Sequence, residues 1–252
     1  MDLLLADRVY IVTAASRGLG RATAEILVQE GARVVVSSRS KAGVDECVQT
    51  LGADKVTGVV ADNADPDTAS ALIKAAQDTF GRLDGALISV GGPPAGSVMS
   101  RPEAEWRTSF ETIFMGAIRL CTAIAGELGE GGSLALVLST SVKQPIGGLA
   151  ISNGLRPGLA MVAKNLADEL GPRGIRVNGL LPGRVDTERV RELDAMSGDA
   201  EASRRDTQAA IPLRRYGEPA EFGRAAAFLL SPAAAYITGV MLPVDGGITR
   251  SL

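Results

Sequence analysis

The sequence predicts an α/β fold, a doubly wound parallel sheet of about seven strands with helices on both faces. Three observations carry this expectation. Short β-branched apolar runs alternate with longer amphipathic stretches along most of the 252 residues, the alternation that builds βαβ units with right-handed crossovers. The runs are apolar throughout, as strands buried on both faces must be. No break in composition and no linker divides the chain, so a single domain over residues 1–252 is expected.

A strand at 9–13 opens the pattern and passes into the turn T-A-A-S-R-G-L-G of residues 13–20, which leads to a helical stretch at 20–30. The run R-V-V-V-S at 33–37 is the second strand, followed by a helix at 44–51. The third strand, 56–61, precedes a helix at 67–80, and the fourth, 85–90, precedes a long helical pattern at 103–128. The run S-L-A-L-V-L at 133–138 is the fifth strand, with a helix at 153–170 behind it. A sixth strand at 175–180, a helix at 219–230 and a seventh strand at 240–244 close the series. Residues 198–208, G-D-A-E-A-S-R-R-D-T-Q, are small, polar and charged, inside an excursion at 184–208. A segment of that length is read either as a lid or substrate loop or as a solvated surface helix.

Composition narrows the function classes. A formal charge of −3 gives no electrostatic reason for nucleic acid or an anionic membrane as partner. No apolar run reaches the ~18 residues that span a bilayer, and residues 1–5 are too short for a signal-peptide core. Cys47 and Cys121 are isolated, which suggests neither a disulfide framework nor a zinc site and makes a reducing cytoplasm the simplest setting. There is no histidine. Ser-His-Asp triads, His-activated cysteines and nearly all catalytic zinc arrangements are thereby excluded. Any general acid or base must be Tyr, Lys, Asp, Glu, Cys or water.

The turn at 13–20, taken with Y-I-T-G-V-M-L-P-V-D-G-G at 236–247, resembles the short-chain dehydrogenase/reductase family over about 7–247. The resemblance is to a divergent branch like the 3-oxoacyl-(acyl-carrier-protein) reductases, and it implies a Rossmann-type, nicotinamide-dependent oxidoreductase. Glycines in such a turn let the backbone approach a pyrophosphate, and the helix N-terminus offers unpaired N–H groups. The family pattern T-G-x-x-x-G-x-G is met by Thr13, Gly18 and Gly20, with Ala14 at its first glycine and Ser16, Arg17 and Leu19 filling the turn.

The second strand ends Ser38-Arg39 without an acid. An acid there accepts from the ribose 2′-OH of NAD, whereas an arginine suits a 2′-phosphate. Arg17 and Arg39 flanking that phosphate favour NADP(H). By the resemblance, Asp62 and Asn63 stand near the adenine, although a helix N-cap region explains them equally well. Gly91 is what remains of the family's N-N-A-G after the fourth strand. Asn178, Pro182, Gly183 and Thr187 keep its N-x-x-x-P-G-x-x-x-T spacing, which places Pro-Gly near the nicotinamide and Thr near its carboxamide.

The family polarises a carbonyl with Ser and moves the proton with a Tyr whose pKa a neighbouring Lys lowers, supported by an Asn. Ungapped alignment from Gly132-Ser133 puts the Ser at Ser139, with Ser141 close by. Where Tyr and Lys are expected stand Ser152 and Arg156, and the Asn position reads Ile113. A serine hydroxyl is a poor acid at neutral pH. Arg156 stays protonated and can bind ribose hydroxyls or a carboxylate. Lys143, four residues after Ser139, can replace the proton donor if a cleft buries it. Tyr10 is expected in the core, and Tyr236 in a structural lead-in to the last strand.

Three readings follow. The first is an NADP(H)-dependent oxidoreductase acting on a carbonyl/alcohol pair, a small-molecule substrate, through an altered relay. The second is a catalytically inactive nucleotide-binding or assembly protein of the same fold. The third, consistent with Ala14, Ile88 and Ser89, is a pocket that no longer takes a dinucleotide. The family also implies a closed homodimer or homotetramer through the helices at 103–128 and 153–170. Their Gly116, Ala117, Ala160 and Ala163 permit close approach, unless they pack on the chain's own sheet.

Overall fold

The computed structural model describes residues 2–196 and 198–251. In chain order the elements are β1 (Val9–Val12), α1 (Gly18–Gln29), β2 (Arg33–Ser38), α2 (Lys41–Leu51), β3 (Val56–Val60), α3 (Thr68–Phe80) and β4 (Gly85–Ile88). Then come α4 (Glu103–Ser109), α5 (Gly116–Glu127), β5 (Ser133–Val137), α6 (Ala150–Leu170) and β6 (Arg176–Pro182). The chain ends with α7 (Glu188–Ala195), α8 (Ala200–Ala210), α9 (Pro219–Leu230) and β7 (Met241–Val244).

The strands form one parallel sheet in the order β3-β2-β1-β4-β5-β6-β7, as the unbroken apolar runs require. Tyr10 of β1 stands between Val34 of β2 and Gly85 of β4. The order reverses at β1/β4, which opens a crevice at the carboxyl ends of those strands. One face is covered by α3, α5 and α6, where Leu72, Leu120, Ile124 and Leu166 pack on Ile11, Ile88 and Leu136. The other is covered by α1 and α9, where Leu27, Phe222 and Ala226 pack on Val12, Val34 and Leu87. Tyr10 is in this second core, its hydroxyl donating to Leu230 O at 3.3 Å. Tyr236 is fully exposed.

Several boundaries differ from expectation for local reasons. The strand at 85–90 stops at Ile88 because the amide and carbonyl of Ser89 bond to the Thr13 hydroxyl. The helix at 103–128 is interrupted by a π-helical turn, Phe110–Met115. Gly116 follows it, where any side chain would collide with the carbonyl of Asn63. By length and mean hydropathy (1.2) the span Glu103–Glu127 would pass as a membrane helix, yet Ala117, Leu120, Cys121 and Ile124 are buried in the core. Gly116, Ala117, Ala160 and Ala163 all face the chain's own interior. The large apolar side chains exposed on these helices are Phe110 and Met161. The segment at 184–208 is mostly helical, α7 and α8, with Ser197 outside the described residues.

Candidate active site

A cleft of ≈ 1680 Å³ lies at the carboxyl ends of the central strands, lined from the glycine turn to α6 and α7. It exceeds the roughly 300–1,000 Å³ of a drug-sized site, leaving room for an extended ligand and a second small molecule.

At one end the turn after β1 folds tightly on itself. Gly18 takes φ +60° and Ala14 φ +50°. A Cβ at Gly20 would stand 2.6 Å from Ala14 O, so only glycine fits there. The N-cap residue Arg17 makes no side-chain cap to α1, which leaves first-turn N–H groups available to an anion at the cleft. Ser16, Arg17, Leu19, Ser38 and Arg39 line the same end. Arg17 pairs with Glu188, and Arg39 Nη1 lies 3.9 Å from an Asp62 carboxylate oxygen. At Gly91 the place of a side chain is open space. Pro182, Gly183 and Thr187 continue the wall, and Thr187 also caps α7 by accepting from Val190 N at 3.4 Å.

Thr13, expected among the cofactor-binding residues, and Asn178, which opens the N-x-x-x-P-G-x-x-x-T spacing, are both turned inward. Thr13 is fully buried; its hydroxyl donates to Ser89 O at 2.6 Å and accepts from Ser89 N at 2.8 Å. It therefore ties β1 to the end of β4. Asn63 lines the cleft but joins this clasp, donating to Ser89 O at 3.0 Å. Asn178 donates to Ile237 O at 2.9 Å and accepts from Val240 N at 3.1 Å, tying β6 to the approach of β7.

At the other end Ser139, Ser152, Arg156 and Ile113 share the wall. The π-helical turn carries Ile113 into it. Ser139 Oγ accepts from Ser141 N at 3.1 Å, which leaves its hydroxyl hydrogen for a ligand. Ser141 stands behind the wall, its hydroxyl 3.3 Å from that of Ser152. Arg156 is 5% exposed and donates through Nη1 to Val137 O at 2.6 Å. Burial pushes its pKa down to about 10, so it remains a cation at neutral pH. Lys143 is exposed and lies off the cleft wall; the burial on which its role as proton donor depended is not present. Asn153 holds the loop in front of α6, accepting from Ile146 N at 3.1 Å and donating to Ile146 O at 2.9 Å.

Helix α7 lies across the mouth. Glu188 reaches Arg17 on one rim, and Arg189 donates to Pro93 O at 2.7 Å on the other. Its far end is anchored by Asp194, which accepts from the Tyr216 hydroxyl at 3.1 Å and is met by Arg184 at 3.5 Å. Burial raises the Tyr216 pKa, and its bond to Asp194 adds to that. Arg204 of α8 stacks on the Tyr216 ring at 4.4 Å and pairs with Asp186 at 2.8 Å. Sequence reasoning missed this latch, which joins residues on three separate segments. It missed Pro157 inside α6 as well. The left-handed Ala14 had a signal, since it occupies a position where the pattern calls for glycine.

Comparison with known proteins gives a consistent set of relatives. A family model described as enoyl-(acyl carrier protein) reductase matches residues 13–249. The chain is 32% identical over 246 residues to the 3-oxoacyl-(acyl-carrier-protein) reductase FabG of Vibrio cholerae, covering 97% of this chain and 98% of that one. It is 35% identical over 254 residues to human dehydrogenase/reductase SDR family member 4, covering 98% and 90%. Among solved structures, L-sorbose reductase from Gluconobacter frateurii complexed with NADPH and L-sorbose matches with a TM-score of 0.91 at 27% identity, both chains covered in full.

Proposed function

Because this chain belongs to the short-chain dehydrogenase/reductase family, we propose that it is an NADP(H)-dependent oxidoreductase acting on a carbonyl/alcohol pair through an altered catalytic site. One observation carries the reading: Arg17 and Arg39 stand at one end of a single cleft whose other end holds Ser139, Ser152 and Arg156. The open first turn of α1 suits the pyrophosphate. The two guanidinium groups suit a 2′-phosphate, and β2 ends without the acid that NAD would favour.

With a nicotinamide bound in this cleft, the chemistry supplied would be hydride transfer to or from the substrate carbon. Ser139 donates its hydroxyl hydrogen to the carbonyl oxygen and so stabilises the charge that develops on it. Arg156 adds a fixed positive charge but does not shuttle protons, so the proton exchanges with water in the cleft. Helix α7 acts as the lid. The chain works as one NADP(H)-binding domain in the cytoplasm, assembled as a closed homodimer or homotetramer through the outer faces of α4–α5 and α6.

Calorimetry with NADPH and NADH, followed by NADPH oxidation across ketones and acyl thioesters, tests the reading. Turnover that falls roughly 10²-fold in Ser139→Ala supports it. NADPH binding without turnover on the whole panel overturns it. A second reading, a non-catalytic nucleotide-binding or assembly protein, is favoured by Ser152, Arg156 and Ile113 at the family's Tyr, Lys and Asn positions. Reductase activity appearing only in the double variant Ser152→Tyr, Arg156→Lys would select it.

A further inference from the structure

We infer that Arg156 is the anchor of an anion subsite beside Ser139 and Ser152, and that the substrate of this cleft carries a carboxylate. The inference rests on the oxidoreductase reading and names the substrate class that reading leaves open.

Two buried arginines in the chain make the contrast. Arg176, 7% exposed, donates to the carbonyls of Leu229, Leu230, Ser231 and Ile237 at 2.7–3.3 Å. Most of these lie at the carboxyl end of α9, where a helix presents unsatisfied carbonyls and negative potential. Arg176 is thus a structural cation. Arg156 is as deeply buried, yet among the described residues it donates only to Val137 O. Its Nε and Nη2 are not among the sealed, unpartnered atoms of the interior, and the side chain lines the cleft. Its unused donors therefore open onto the ligand space.

A guanidinium carries five N–H donors in a planar fork matched to a carboxylate. A buried charge without a counter-charge is costly, and native interiors pair such groups. Among the described residues none supplies such a counter-charge here. The acidic residues of the cleft come from α2, the end of β3, α7 and α8; Asp62 attends Arg39, and Glu188 attends Arg17. The wall contributed by the π-helical turn, β5 and α6 is neutral, with Ile113, Ser139 and Ser152 facing the space. Ser152 is one helical turn before Arg156, on the same face of α6, and adds a hydroxyl beside the fork. Ribose hydroxyls would use the donors but leave the charge uncompensated. A carboxylate satisfies both.

The experiment uses the full chain saturated with NADP+, which allows no reduction, and acetate as the probe with acetamide as its neutral counterpart. Ionic strength is held constant with a bulky buffer anion. Acetate should raise the thermal unfolding midpoint in a saturable way and acetamide should not. In Arg156→Gln the apparent acetate dissociation constant should rise on the order of tenfold or more. Arg156→Lys, which keeps the charge and loses the fork, should fall between, and NADPH affinity should be unchanged in both. Equal acetate affinity in the wild type and Arg156→Gln overturns the inference. So does a Gln variant that loses NADPH affinity and keeps acetate, which would assign the guanidinium to the ribose. Failure of the wild type to bind NADPH would instead sink the oxidoreductase reading beneath it.

Discussion

Replacing Arg39 by alanine probes the nucleotide end most directly. The side chains of Arg17 and Arg39 are 69% and 77% exposed, and each already sits near a carboxylate, Glu188 and Asp62. A 2′-phosphate therefore displaces an exposed ion pair worth about 0.2–1 kcal/mol. It gains a charge-assisted hydrogen bond worth about 1.5–3 kcal/mol. The difference, about 1–2 kcal/mol per arginine, corresponds to about 5- to 30-fold in dissociation constant. Wild-type protein should bind NADPH on the order of 10²-fold more tightly than NADH if both arginines contribute. Arg39→Ala should weaken NADPH by about 5- to 30-fold and leave NADH nearly unchanged. The discrimination should shrink as salt rises, because exposed charges are screened over about 10 Å at 0.1 M. Titration calorimetry at two ionic strengths reads all of this. Equal affinity for the two nucleotides in the wild type, or equal weakening of both in Arg39→Ala, would refute the reasoning.

Other outcomes follow from particular contacts. Arg156→Met removes a buried cation that has no carboxylate partner among the described residues, and one hydrogen bond to Val137 O; the net should be stabilising by about 1–3 kcal/mol, read as a midpoint rise of roughly 2–4 °C per kcal/mol. The folded-state pKa is lowered to about 10, so the cost of the charge is fully present below that value and is relieved as pH climbs from about 10 toward the ordinary arginine value. The advantage of the Met variant should stay level through neutral pH and narrow above about 10; an advantage growing there would contradict the assignment. Ala14→Gly relieves a left-handed alanine at the entropic cost of a glycine, and should be neutral or stabilising by up to about 1 kcal/mol in denaturant melts. Tyr216→Phe removes a donor from Asp194, which is 2% exposed; a local loss of about 1–3 kcal/mol should appear as faster proteolytic cutting in α7 and α8, and an unchanged cutting pattern would show that this contact does not hold α7.

How much was legible can be followed residue by residue. The runs at 33–37 and 133–138 became β2 and β5 because a strand buried on both faces carries consecutive apolar side chains, as Val34-Val35-Val36 and Leu134-Ala135-Leu136-Val137 do. Gly18 and Gly20 were legible because a tight strand-to-helix turn needs the left-handed φ that Gly18 adopts and leaves no room for a side chain at Gly20. Arg17 and Arg39 were placed on one cleft by the order of a βαβ unit. The direction of a polar side chain was not legible in the same way. Thr13 occupies a motif position but bonds to Ser89, 76 residues away, and does not line the cleft. Lys143 is near Ser139 in sequence and yet lies outside the wall.

The sequence by itself determined the order of strands and helices, the glycine turn and the identities of the residues at each motif position. These depend on local periodicity and on backbone sterics, which every residue carries with its neighbours. Only the tertiary structure decided that Thr13 and Asn178 are clasps, that Asp194 and Tyr216 anchor α7, and that Arg156 is buried with no carboxylate partner among the described residues while Arg176 is surrounded by carbonyls. The physical reason is that desolvation and hydrogen-bond pairing depend on which distant segments fill the space around a side chain, and that space exists only once the sheet and its two helical layers have closed.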